Sequence, residues 1–216
     1  MIVSASTNPP SVSQLDDYLE ELSLLDVDFI HCDIMDGDFV SATTFDYTLL
    51  PHIFDKSSKG LDVHVMAKNI DKNYNKYFQK GVKILTIHYE SVADKDIIKD
   101  IILDIKSHGI LAGLAIKPQT TLSEVTPLLN FLDVLLIMSV EPGKSYQKFL
   151  ETTFDKLKDF ASFRKKNHLQ FKIEIDGGVN DKNVKFLKAN GADIVVVGGY
   201  LYSNQDRKNA VATLKR

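Results

Sequence analysis

The chain has a single cysteine, Cys32, among 216 residues. That excludes an internal disulfide and any thiolate zinc cluster, so a metal site would have to be made of histidine and carboxylate. Positive charge is not in excess either. The formal net charge is −3, which leaves no basic footprint, and neither nucleic acid nor a membrane surface is expected as a partner. No run approaches the roughly 18 apolar residues of a membrane-spanning helix, and "MIVSASTNPP" has no basic n-region or long apolar stretch of a secretory signal. The expectation is a cytoplasmic protein. Low-complexity segments, composition shifts and long linkers are missing as well, so one domain over 1–216 is expected. What is present, 44% hydrophobic and 25% charged residues, is ordinary for a soluble chain with one sizeable core.

Apolar, β-branched runs alternate with helical segments. Eight runs read as strands: Ile2 to Ser6, Phe29 to Ile34, Leu61 to Met66, Ile84 to His88, Leu111 to Ile116, Val134 to Met138, Phe171 to Asp176 and Ile194 to Gly198. The clearest helix lies in "DKDIIKDIILDIKSHG", where Ile97, Ile98, Ile101, Ile102 and Ile105 form one stripe and Asp94 is placed to cap it. Three junctions, "QKGVKILTIH", "SHGILAGLAI" and "ANGADIVVVG", repeat a helix end with Gly followed by a strand. Eight consecutive βα units predict a closed (β/α)8 TIM barrel. The competing doubly wound sheet is disfavoured because "SASTNPPSVS", after the first strand, lacks a Gly-rich dinucleotide fingerprint. "RKKNH", from Arg164 to His168, reads as a solvated helix end.

Three strands are interrupted by polar residues at alternate positions. In "FIHCDI", His31 and Asp33 point one way and Ile30, Cys32 and Ile34 the other, towards the helices. "LDVHVM" places Asp62, His64 and Met66 inward, and "FKIEIDGG" does the same with Glu174 and Asp176. His31, Asp33, His64 and Asp176 all fall near C-terminal strand ends, where barrel active sites are built. Two imidazoles and two carboxylates in a narrow interior are costly unless a divalent cation offsets their desolvation, so these four are the candidate metal ligands. Taken singly, each histidine reads as a hydrogen-bonded core residue. His88 and Lys117 also end strands and could contact substrate oxygens, and Met66 and Met138 could roof a reacting centre. Gly177-Gly178 and Gly198-Gly199 open the loops after strands seven and eight, the usual phosphate position in such barrels, and Lys144 after strand six could pair with an anion.

Together, "HCDIMDGDFV", "LDVHVM", "GLAIKP", "MSVEPG", "IEIDGGV" and "GADIVVVGG" resemble the ribulose-phosphate 3-epimerase family, in its order and across nearly the whole chain. The resemblance implies a metal-dependent isomerase of the pentose phosphate pathway, a ribulose-phosphate binding barrel that interconverts D-ribulose 5-phosphate and D-xylulose 5-phosphate. It implies His31, Asp33, His64 and Asp176 as ligands of one divalent ion, zinc foremost, with iron, manganese or cobalt also suited to that ligand set. It makes Asp33 and Asp176 the catalytic acid/base pair acting through a 2,3-enediolate. It places Ser4 and His64 against the substrate, a phosphorylated ketose, and Gly177, Gly178, Gly198 and Gly199 around its phosphate. A homo-oligomer is also implied.

The mouth departs from the family pattern. Where the family reads Glu-Pro-Gly-Phe-Gly-Gly-Gln, this chain has Glu141-Pro142-Gly143-Lys144-Ser145-Tyr146-Gln147, so Lys144, Ser145 and Tyr146 join Gly143 as candidate substrate contacts. Phe-Val-Pro-Asn becomes Phe39-Val40-Ser41-Ala42, and Ser-Ile-Leu-Ser becomes Ser4-Ala5-Ser6-Thr7. These changes spare the metal and acid/base residues. They leave a 3-epimerase of a ketohexose 6-phosphate and a non-catalytic sugar-phosphate binding barrel as alternatives. A barrel aldolase or decarboxylase is a further class, for which Lys117 is the only strand-end lysine, without the Asp-Lys arrangement such a decarboxylase needs.

Overall fold

Alternating β-branched runs become eight parallel strands, and in the computed structural model, which describes residues 1–7 and 12–216, they close into one barrel in the order β1 to β8. The strands are β1 (Ile2–Ser6), β2 (Phe29–Met35), β3 (Gly60–Met66), β4 (Val82–His88), β5 (Leu111–Ile116), β6 (Val134–Met138), β7 (Lys172–Asp176) and β8 (Ile194–Val197). The barrel expectation is met, with strand ends shifted by one or two residues. Closure is made by β1 on β8, with Ile2 opposite Ile194 and Ala5 opposite Val197. Positions 8–11, most of the turn whose missing fingerprint argued against an open sheet, lie outside the described residues.

Outward side chains of the strands and the inner faces of the helices make the main core. On α1 (Leu15–Leu24), Leu15, Leu19 and Leu22 are buried at helical spacing, each worth about 1.5–3 kcal/mol of apolar burial. The isoleucine stripe is the buried face of α3 (Ile98–Ser107), and Asp94 accepts from the Asp96 amide at the turn leading into it. The remaining helices are α2 (Leu50–Ser57), α4 (Leu122–Val125), α5 (Thr153–Lys166), α6 (Val184–Ala189), α7 (Gly199–Tyr202) and α8 (Arg207–Lys215).

Two local readings change. Between β3 and β4 the chain forms only 3-10 turns, Ile70–Lys72 and Tyr74–Tyr77. Asn69 is left-handed, with φ 51°, and asparagine side chains compete with backbone helix bonds. Arg164 is not simply solvated at the end of α5. Its guanidinium donates to the Phe171 carbonyl at 2.8 Å and the Gly191 carbonyl at 3.0 Å and pairs with Asp193, tying the helix to the base of β7 and β8.

The barrel interior is layered. Ile84, Val134 and Ile194, with Ile2 and Phe29 against them, form an apolar floor. Polar side chains lie above it, towards the C-terminal strand ends. No helix of the described residues is long and apolar enough to cross a membrane.

Candidate active site

Strand register brings the interrupted positions together. His31 lies beside Asp62 and Asp33 beside His64 across β2 and β3, Ser6 pairs with His31, and Asp176 pairs with Met138. One ligand atom from each of His31, Asp33, His64 and Asp176 falls within 4.8 Å of all the others. His31 Nε2 is 3.3 Å from Asp33 Oδ1 and 3.9 Å from Asp176 Oδ2. His64 Nδ1 is 3.1 Å and 3.6 Å from the same oxygens. Donor atoms bound at about 2.1 Å to one tetrahedral ion stand roughly 3.4 Å apart, so these spacings fit a divalent cation. His31 Nε2 is buried and makes no hydrogen bond, which suits a lone pair kept for such an ion.

The two aspartates share the site but not the same electrostatics. Burial works against ionisation of Asp33, yet the His31 and His64 imidazoles, through ring protons that a bound cation would displace, outweigh it and hold the carboxyl well below the usual range. Asp176 is pushed up to about 6 by burial and by the Asp33 charge, more than His31 and His64 pull it down. His31 is itself raised, because Asp62 and Asp33 overcome the desolvation that opposes its charge, and a cation bound at Nε2 would displace that proton.

Each histidine is held from behind. His31 Nδ1 is 2.7 Å from Asp62 Oδ2, and the Ser4 hydroxyl donates to the same oxygen at 2.7 Å. Ser4 is fully buried and does not line the cavity, whereas Ser6 does and lies 3.2 Å from Asp33 Oδ2. Both serines face inward two residues apart, and β1 enters the polar layer one step later than the sequence reading placed it. Glu174, also inward, is fully buried with neither carboxyl oxygen hydrogen-bonded, and burial and then Asp62 raise it well above the usual carboxylate range.

His64 is not among the side chains that line the cavity. It is fully buried, while Asp33 and Asp176, its neighbours in the cluster, do line the cavity. His88 and Lys117 are also committed elsewhere. His88 Nε2 lies 2.9 Å from His64 Nε2 and its Nδ1 3.0 Å from Glu90 Oε2, while the Lys117 ammonium sits 4.3 Å from the Phe39 ring centroid. Burial draws His88 down to about 4 despite Glu90. Glu90 is itself lowered to about 2, because hydrogen bonds from His88, Thr120 and the Lys117 amide overcome its burial.

Met66 and Met138 line the cavity rather than only filling the core, joined by Met35, which the reading of β2 missed although the same alternation carries one step past Asp33. The expected phosphate loops converge at the opposite wall, where Gly143, Lys144, Ser145, Tyr146, Gly177, Gly178, Gly198 and Gly199 all line the cavity. Gly178, with φ 63°, passes so close to the β6 loop that a Cβ would stand 2.8 Å from the Phe149 amide nitrogen. A Cβ on Gly199 would meet the Tyr146 ring at 2.7 Å. Tyr146 is itself left-handed, with φ 60°, and 67% exposed. Gln147 folds this loop on itself by donating to the Glu141 and Lys144 carbonyls.

Comparison with known proteins agrees with this geometry. The sequence model of the ribulose-phosphate 3-epimerase family matches residues 2–202. The ribulose-phosphate 3-epimerase of Aquifex aeolicus is 36% identical over 188 residues, 87% of this chain and 83% of that protein. That of Helicobacter pylori strain J99 is 34% identical over 193 residues, 89% and 88% of the two chains. Among solved structures, 3-hexulose-6-phosphate synthase from Salmonella typhimurium superposes with a TM-score of 0.70 at 18% identity, covering 99% of this chain and 96% of that one. The tryptophan synthase α-subunit of Pyrococcus furiosus gives 0.66 at 16% identity, covering 99% and 94%. At such identity these two structures share the barrel alone. Matched along most of its length by the family model and by relatives above 30% identity, the chain belongs to the ribulose-phosphate 3-epimerase family.

Proposed function

We propose that the protein inverts C3 of D-ribulose 5-phosphate to give D-xylulose 5-phosphate through a 2,3-enediolate, with Asp33 and Asp176 as the acid/base pair. The observation that carries this reading is geometric: two carboxylates, Asp33 on β2 and Asp176 on β7, line one cavity and share a four-residue cluster with His31 and His64. Inversion requires a base on one face of the sugar and an acid on the other, and two carboxylates from different strands of one cavity can fill both roles.

In one direction the Asp33 carboxylate takes the C3 proton and protonated Asp176 returns one to the opposite face; the reverse reaction exchanges the roles. Ser6, at 3.2 Å, holds one Asp33 oxygen by a hydrogen bond. His31, Asp33, His64 and Asp176 would hold a divalent ion. When bound, it stabilises as a Lewis acid the negative charge that develops on the C2 and C3 oxygens. Met35, Met66 and Met138 border the reacting carbons with apolar, polarizable groups that exclude water. At the far wall the backbone amides around Gly177-Gly178 and Gly198-Gly199, with Lys144 and Ser145, receive the phosphate. The Tyr146 ring against Gly199 limits the cavity at that end, which favours the five-carbon substrate over a ketohexose 6-phosphate.

The test is an NMR time course of metal-loaded protein with D-ribulose 5-phosphate in deuterated water. Deuterium should enter C3 as xylulose 5-phosphate accumulates, and both signals should vanish in Asp33→Asn and Asp176→Asn. Folded, metal-loaded protein that produces neither signal would refute the proposal, and faster turnover of a hexulose phosphate would replace the substrate.

A further inference from the structure

A second imidazole stands behind His64, and the reaction gives that ring no task. The two Nε2 atoms of His64 and His88 face each other at 2.9 Å, with ring centroids 5.0 Å apart. Beyond them His88 Nδ1 lies 3.0 Å from Glu90 Oε2. Glu90 Oε1 already receives the Lys117 amide, at 2.9 Å, and the Thr120 hydroxyl. The Phe39 ring, 4.8 Å from His88 between centroids, covers the line, and both histidines are fully buried.

Hydrogen-bond accounting gives this line one direction. A neutral imidazole has one N–H and one lone pair, and an ionised carboxylate only accepts. Glu90 therefore takes its hydrogen bond from His88 Nδ1–H, which leaves a lone pair on His88 Nε2. Two facing lone pairs would repel, so the proton between the rings belongs to His64 Nε2. The nitrogen of His64 left to a cation is then Nδ1, which hydrogen-bonds Asp33 Oδ1 at 3.1 Å and lies 3.6 Å from Asp176 Oδ2; a bound ion would take the place of the proton in that contact.

We propose that His88 and Glu90 are positioning residues that fix the tautomer and angle of His64, so that its Nδ1 lone pair is presented to the site formed with His31, Asp33 and Asp176. The inference rests on the divalent-ion site of the proposed function and adds which nitrogen is offered and what sets it. His31 is governed by a shorter route: Asp62 takes its Nδ1 proton directly, and Nε2 faces the ion. The two ligand histidines thus present opposite ring nitrogens, one set by a carboxylate and the other by a carboxylate acting through a second imidazole. Outer partners of this kind hold ligand orientation and typically contribute about 10–100-fold to metal affinity.

The test uses the full chain loaded with zinc and labelled with 15N-histidine. Two-bond proton–nitrogen correlations should show His88 neutral with its proton on Nδ1, and His64 protonated on Nε2 with Nδ1 in the metal-bound range. His88 protonated on Nε2, or on both nitrogens, would overturn the proposal. In parallel, zinc affinity is measured by competition with a chromophoric chelator. His88→Phe, which keeps a ring but neither hydrogen bond, should bind zinc about 10–100-fold more weakly. His88→Gln, which can accept from His64 and donate to Glu90, should recover most of that loss. Wild-type affinity in folded His88→Phe would refute the positioning role, and the wild-type tautomers decide the matter if that variant does not fold. Wild-type protein that takes up no zinc would remove the ion site and this inference with it. Zinc uptake with the wrong His88 tautomer would defeat the inference alone.

Discussion

The two walls of the cavity are built by different means. On one, His31, Asp33, His64 and Asp176 stand on strands whose neighbours hold them in register, with partners behind them that are themselves buried, such as Asp62. On the other, Lys144, Ser145 and Tyr146 stand on an exposed loop, and the glycines opposite contribute backbone rather than side chains. The wall that would do chemistry tolerates little change of geometry. The wall that would hold the phosphate can trade one loop sequence for another as long as amides and cations still face inward.

Substitutions can break that contrast. The largest effect is expected on the strand wall: Asp33→Asn or Asp176→Asn should lower kcat by about 10²–10⁴-fold, the usual contribution of a positioned acid or base, with an unchanged circular dichroism spectrum. On the loop wall the exception is Gly178, where side-chain-free backbone is itself required. Gly178→Ala forces the β6 loop away from its 2.8 Å approach. It should raise KM by about 10–100-fold, the loss of one or two charge-assisted hydrogen bonds, while kcat changes far less. Steady-state kinetics separates the two walls by that split.

Glu90→Gln tests the strand wall by stability. The Glu90 carboxyl is lowered to about 2 when folded against about 4.3 in an open chain. Its contribution is therefore complete above the higher value and is lost as pH falls from there towards the lower one. Urea unfolding should show the variant about 1.5–3 kcal/mol less stable at pH 7, with the gap shrinking between pH 4 and pH 3. The smallest effect belongs to Tyr146→Gly. It removes a side chain from a left-handed position, so stability should hold within about 1 kcal/mol, kcat within about threefold, and the ratio of hexulose to pentulose phosphate turnover should rise. A fall in kcat as large as that of the aspartate variants would show that the loop takes part in the chemistry.

The same contrast explains what could be read from sequence. Period-two alternation exposed His31, Asp33, His64 and Asp176 because a strand has only two faces, and inward polar residues on several strands must meet in a closed barrel. Alternation could not say at which height they meet. Ser4 and Ser6 point the same way, and only the pairing of Ser6 with His31 shows which of them stands at the cavity and which bonds Asp62 below. The tie from Glu90 to His64 was hidden for another reason: it runs through His88 across neighbouring strands, and each residue alone resembles an ordinary strand end. The missing helix after β3 left a trace in Asn69, Asn73 and Asn75, poor helix residues whose weight shows only against the fold. The path of the β6 loop left none, since Tyr146 takes its left-handed turn against Gly199, distant in the chain.

Cys32 sits between two of the residues that would hold the ion, yet the pleat of β2 turns its thiol outward into the helix layer, fully buried, where burial pushes its pKa up. Sequence adjacency thus brings no thiol to the cavity and leaves no thiolate there for an oxidant to attack. Peroxide entering the mouth would meet Met35, Met66 and Met138 instead, whose oxidation to sulfoxides is reversible by reductases. Strand geometry therefore predicts resistance to thiol-blocking reagents, and oxidation of the methionines would be of a reversible kind.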